Sequence, residues 1–200
     1  MIPIAPPRLR RGDRIGIVAP SGPVRAADLV AGARTLEAAG FRVVMGRHVG
    51  KRRGHLAGPD ALRASDLNRM LRDPDIRCLL MARGGYGSLR IAPEVDWGAM
   101  RRDPKIFAGF SDATLLHLGF SREAGVRTLH GPNLAGLGAK RGSEFRRWLA
   151  WTTEPRPADA HRLSKKSRRP HRNNRRSRNQ STRPILPNPA RPDAAQVATH

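Results

Sequence analysis

The chain has 200 residues, enough for one substantial domain or for one domain and a tail. Its 38 Lys and Arg against 16 Asp and Glu leave a formal net charge of +22, which fits either a polyanionic partner such as nucleic acid or a solvated basic surface. A single cysteine, Cys78, excludes a disulfide framework and a cysteine metal cluster.

The first residues, Met1 to Pro7, lack a basic start followed by a long apolar segment. No signal peptide, membrane span or membrane partner is therefore expected, and a soluble cytoplasmic protein is the default. Ile15 to Ala19 reads as a short apolar strand that ends in the turn Pro20-Ser21-Gly22. Ala26, Leu29, Val30, Ala33 and Leu36 then fall at helical spacing, with Gly40 as the C-cap. Phe41 to Met45 is a second strand, followed by a basic loop from Arg47 to Gly58. A helix starts near Pro59-Asp60, carries Leu67, Met70 and Leu71 on one face, and stops at Asp73-Pro74-Asp75. Ile76 to Ala82, with Cys78 buried in it, is the third and most apolar strand and runs into Arg83-Gly84-Gly85-Tyr86-Gly87. Lys105 to Phe110 is a fourth strand, leading into Ser111 and a helical run from Ala113 to Ala124. Val126 to Leu129 is a candidate fifth, before His130-Gly131-Pro132.

Strands alternating with helices at this spacing predict an α/β fold with a mostly parallel sheet flanked by helices. Chemistry in such sheets lies beyond the carboxyl ends of the strands. Pro20-Ser21-Gly22, the glycine loop at 83–87 and Ser111 all fall on that edge.

The character changes after Trp151. No aromatic residue follows, and from His161 onward eleven Lys and Arg stand against one acidic residue, Asp193. Residues 152–200 lack the apolar content to offset chain entropy and read as a disordered tail rich in Arg and Pro. The organisation expected is a domain over 1–151 and a tail over 152–200.

Gly109-Phe110-Ser111-Asp112 places a serine between an apolar strand and a helix, where the turn pushes Oγ out of the fold. Backbone N–H groups at the helix start suit a developing oxyanion. A bland role for Ser111 as a helix N-cap fits the local sequence equally well. Likewise, Gly84-Gly85 could form only a tight turn and Tyr86 could only pack, while Ser21 reads as a turn residue.

The ordered set Arg11-Gly12-Asp13-Arg14-Ile15, Ala19-Pro20-Ser21-Gly22, Arg63-Ala64-Ser65-Asp66-Leu67, Arg83-Gly84-Gly85-Tyr86-Gly87, Pro104-Lys105, Gly109 to Thr114 and His130-Gly131-Pro132 resembles the N-terminal part of the LD-carboxypeptidases, serine peptidase family S66. That family includes the microcin C self-immunity peptidases, and the resemblance runs from Leu9 to about Trp151. It implies Ser111 as nucleophile, the backbone N–H groups of Gly85 and Asp112 as oxyanion hole, and Arg83, Gly84 and Tyr86 in the substrate pocket. It implies no metal and no cofactor. The substrate implied is a murein tetrapeptide that loses its terminal D-amino acid during cytoplasmic cell-wall recycling.

In that family a histidine base and an orienting glutamate lie in a C-terminal domain, and no match to its motifs occurs past residue 152. The base and orienter are therefore expected to be absent from this chain, which would then be truncated and inactive or nearly so, with the tail read out of frame. His117 is expected on a helix running away from the site, and His130 near the active-site edge. His161, His171 and His200 fall in the tail, and Glu94, Asp96 and Glu144 have no spacing that marks an orienter. Two other functions stay open: a self-immunity hydrolase of the microcin C type, and a non-catalytic protein binding nucleic acid or another polyanion non-specifically through the tail. Pairing into a homodimer is also open.

Overall fold

The computed structural model describes residues 3–139 and 142–154. Five strands form one sheet: β1 (Arg14–Val18), β2 (Arg42–Met45), β3 (Ile76–Met81), β4 (Ile106–Gly109) and β5 (Leu129–His130), in the order β2-β1-β3-β4-β5. Every pairing is parallel. The connections carry α1 (Ala26–Ala38), α2 (Asp60–Arg72), the short α3 (Ser88–Ile91) and α4 (Trp97–Arg102), α5 (Ala113–Gly119), α6 (Leu134–Ala139) and α7 (Ser143–Thr153). This is a doubly wound order, and its direction reverses between β1 and β3.

Both faces of the sheet are buried, so its central strands are apolar without a polar alternation. Along β3, Ile76, Leu79 and Met81 pack with Leu67, Met70 and Leu71 of α2, while Cys78 and Leu80 join Leu36, Leu134 and Trp148 on the other face. Cys78 is fully buried, and burial pushes its thiol pKa up.

Three expectations need correction. The fifth strand is only Leu129–His130; Val126 instead bridges Ile4, in parallel. The run from Ala113 breaks at Gly119 into a π turn over Phe120–Ala124, where Phe120 packs edge-on against Trp97. On α1, Ala26 and Val30 face outward and Gly32 is buried instead, because Leu134 of α6 sits against Gly32 so closely that a Cβ there would lie 2.5 Å from it. The 3–10 turn Ala92–Glu94 and helices α3, α4, α6 and α7 add to the elements read from the pattern.

The tail from residue 155, with His161, His171 and His200, lies outside the described residues. Among the described residues no helix is long and apolar enough to cross a membrane, and no group of His, Cys, Asp and Glu could hold a metal ion.

Candidate active site

Ser111 has φ +66°, the one non-glycine residue in the left-handed region among the described residues. L-residues avoid that region because Cβ crowds the following carbonyl, so a serine held there is strained. The strain comes from a sharp reversal between β4 and α5. Residues two before and two after Ser111 are small for that reason: a Cβ on Gly109 would lie 3.1 Å from the Ala113 Cβ. The reversal turns the Ser111 side chain outward, and the residue is exposed.

Capping does not explain Ser111. The N-cap of α5 is Asp112, and Ser111 Oγ has no hydrogen-bond partner among the described residues. Oγ instead stands against the glycine loop, where a Cβ on Gly84 would lie 2.9 Å from Ser111 Cβ and 3.0 Å from Oγ. Gly84 is thus needed for close approach, and Gly85 beside it takes φ +127°. The backbone N–H groups of Gly85 and Asp112 find no acceptor among the described residues. Two unpaired donors beside an exposed, unpartnered hydroxyl form an arrangement able to receive a carbonyl oxygen.

Several buried polar groups hold these parts in place. Phe110 N–H donates to Asn133 Oδ1 at 3.1 Å, and Asn133 is 2 % exposed. The Asp112 carboxylate accepts the Ser88 N–H at 2.8 Å, linking the Ser111 turn to the end of the glycine loop. The Ser88 hydroxyl meets the Ser21 hydroxyl at 2.8 Å, both fully buried, so Ser21 is more than a turn residue. Arg63 of α2, also buried, donates to Pro20 O and, at 3.0 Å, to Gly87 O. It thereby joins the turn after β1 to the loop after β3. Asp66 performs the same service one turn along, accepting the N–H groups of Arg47 and His48. Arg63 and Asp66 stood out in the sequence only as a motif. Asn133 and Ser88 carried no signal beyond their nearness to His130-Gly131-Pro132 and the glycine loop.

The remaining expected residues lie around this core. Arg83 is exposed and donates to Pro23 O at 2.9 Å. Tyr86 is 54 % exposed with its ring 5.7 Å from that of His55. Phe110 is 46 % exposed, leaving an apolar rim beside Ser111.

His117 does not run away from the site as expected. Its Nε2 donates to Gly109 O at 2.9 Å, since the carbonyl can only accept. Its Nδ1 then accepts from Thr128 Oγ1 at 2.8 Å, which fixes the tautomer. With both nitrogens occupied it braces the strand end and leaves no lone pair for Ser111. Burial lowers its pKa first, the nearby His130 acts in the same direction, and the Gly109 bond opposes them. His130 is exposed at the end of β5, and no histidine among the described residues hydrogen-bonds Ser111 Oγ. Asp96 caps α4 through Ala99 N–H and pairs with Arg72, and the Glu94 backbone carbonyl accepts the Asn68 side-chain amide at 2.7 Å.

A strained outward serine, a glycine loop and two N–H donors thus stand together at the carboxyl edge of a parallel sheet. The model of the LD-carboxypeptidase N-terminal domain matches residues 15–131. The chain belongs to that family of serine carboxypeptidases, of which this segment is the N-terminal domain. A carboxypeptidase-like protein of Streptomyces coelicolor is 46 % identical over 138 residues, covering 67 % of this chain and 44 % of the relative. The murein tetrapeptide carboxypeptidase of Pseudomonas aeruginosa is 37 % identical over 126 residues, covering 62 % and 41 %. Among solved structures, the microcin C7 self-immunity protein superposes with a TM-score of 0.73 at 28 % identity, covering 78 % of this chain and 48 % of that one. The chain therefore spans less than half the length of the curated relatives it matches.

Proposed function

We propose that Ser111 is the nucleophile of a serine-type LD-carboxypeptidase that releases a terminal D-amino acid from a murein tetrapeptide in cytoplasmic cell-wall recycling. The observation that carries the reading is the left-handed Ser111, with a free hydroxyl against Gly84 and two unpaired N–H groups at hand. Ser111 Oγ attacks the carbonyl carbon of the scissile amide. The carbonyl oxygen becomes an oxyanion held by the Gly85 and Asp112 N–H groups, and the D-amino acid leaves as the amine. Arg83, Gly84 and Tyr86 line the substrate pocket.

A serine hydroxyl needs a base to accept its proton and a group to orient that base. Neither is offered to Ser111 by residues 3–139 or 142–154, so both come from outside them. On this reading the 200-residue chain alone hydrolyses the peptide slowly or not at all, keeping at most the binding and oxyanion contributions.

The structural likeness to the microcin C7 self-immunity protein supports a second substrate, an aminoacyl or peptidyl amide of a nucleotide. Relatives of that name are seen with aspartyl sulfamoyl adenosine and glutamyl sulfamoyl guanosine. NMR titration of the labelled chain with murein tetrapeptide and with an aminoacyl sulfamoyl nucleoside separates the two. The amide signals of Gly85 and Asp112 move with the preferred ligand, and movement with neither removes the oxyanion assignment.

A further inference from the structure

The loop between β2 and α2 forms a second, charged recess next to the glycine loop. Its tip is a two-residue reversal: Arg53 N–H donates to Leu56 O at 2.9 Å and Leu56 N–H returns to Arg53 O at 3.0 Å. Gly54 and His55 occupy the reversal, with Gly54 at φ +60°. The loop is pinned behind the tip, where Ala57 N–H donates to Ser21 O at 2.9 Å. Arg53, Gly54, His55, Leu56, Asp60 and Arg90 line an open recess of about 450 Å³.

Its charges do not cancel. The single carboxylate, Asp60, is shared by Arg63 at 2.6 Å and Arg90 at 2.7 Å. One negative charge thus faces two guanidinium groups, which leaves one positive charge in excess. Arg53 adds a second, because its side chain has no hydrogen-bond or ionic partner among the described residues. Arg53 is thus the one unpaired cation of the lining, and the buried Arg63 behind Asp60 adds to the positive potential that attracts an anion there.

The recess also adjoins the site. A Cβ on Gly22 would lie 3.6 Å from the His55 carbonyl oxygen and 2.9 Å from that of Gly84. The Gly85 Cα comes equally close to that position, at 3.5 Å. The Tyr86 ring, one residue further, leans on the His55 ring. A peptide with its carbonyl at Gly85 N–H therefore passes the mouth of the recess.

We propose that this recess is an anion subsite that takes a free carboxylate of the substrate peptide, with Arg53 as its principal ligand and Arg90 and His55 as its walls. The assignment rests on the carboxypeptidase reading, since a murein tetrapeptide carries free carboxylates beyond the amide to be cut. Planar guanidinium groups suit a carboxylate bidentately. The subsite would fix the register of the peptide relative to Ser111, so it governs specificity and not bond cleavage.

The test is an NMR titration of the labelled 200-residue chain with glutarate, murein tetrapeptide and inorganic phosphate, in wild type and Arg53→Gln. Expected are movements of the Gly54–Leu56 amides with glutarate and tetrapeptide, weakened by added salt, and roughly tenfold weaker binding in Arg53→Gln with the rest of the spectrum unchanged. Unmoved loop amides, equal binding by Arg53→Gln, or tighter binding of phosphate than of glutarate each overturn the proposal. If glutarate moves the loop and the tetrapeptide does not, the anion subsite stands and the murein reading falls. If the tetrapeptide moves Gly85 and Asp112 but leaves the loop unmoved, the reading stands and the subsite falls.

Discussion

Replacing Ser111 by glycine should stabilise the protein relative to replacing it by alanine. Both variants remove the hydroxyl, so they differ only in the Cβ. At φ +66° that Cβ costs about 1–2 kcal/mol. Glycine recovers this cost but gives back about 0.5–1 kcal/mol through the greater freedom of its unfolded chain. The net is about 0–1.5 kcal/mol, centred at about 0.75 kcal/mol, in favour of Ser111→Gly. For a domain of this size the central value is about 1.5–3 °C in midpoint. Paired thermal and urea unfolding of the two variants measures it, with equal m-values as the check on two-state behaviour. If position 111 were an ordinary helical N-terminus, the order would reverse and alanine would be the more stable by a similar amount. Ser111→Ala melting above Ser111→Gly would therefore refute the strained turn, and with it the physical case for a presented nucleophile.

Three more outcomes follow from named contacts. Gly84→Ala would push a methyl group to within 3.0 Å of Ser111 Oγ, so the Ser111 and Asp112 amide signals should shift while the global fold persists; an unchanged spectrum contradicts the close approach. Arg63→Met deprives Pro20 O and Gly87 O of a buried donor and should cost about 2–3 kcal/mol in urea unfolding, with the largest spectral changes in residues 83–87. The pKa of His117 is lowered in the folded state, below its ordinary 6.5, so between the two values the unfolded chain binds more protons. Its contribution is full above that ordinary value and is lost as pH falls below it, and His117→Gln should flatten the measured slope on the acid side of 6.5.

The sheet was legible because a doubly covered parallel sheet writes its strands as apolar runs, as Ile76 to Ala82 shows. The edge strand was not. With two residues and one side chain exposed, β5 leaves too little pattern to fix its register, and Val126 went to a bridge with Ile4. Helices α3 and α4 were hidden by their shortness and by Pro93 between them. At the site, Ser111 and the glycine loop could be read because turns and glycines leave local marks. The residues that hold them could not: Asn133 meets the Phe110 amide across 23 positions and Arg63 meets Pro20 across 43. Such contacts arise only from the packing. His117 misled for a related reason, since helical position gave its direction along the chain but not the bend of the ring toward Gly109.

On the proposed reading Ser111 is the nucleophile, the Gly85 and Asp112 N–H groups are the oxyanion donors, and the base lies outside the described residues. The most direct measurement is D-alanine release from murein tetrapeptide by a chimera in which residues 9–151 replace the matched segment of the Pseudomonas aeruginosa carboxypeptidase. The account predicts hydrolysis by the chimera, its loss by at least about 10³-fold in Ser111→Ala, and little or none by the 200-residue chain. Undiminished release by the Ser111→Ala chimera would contradict it.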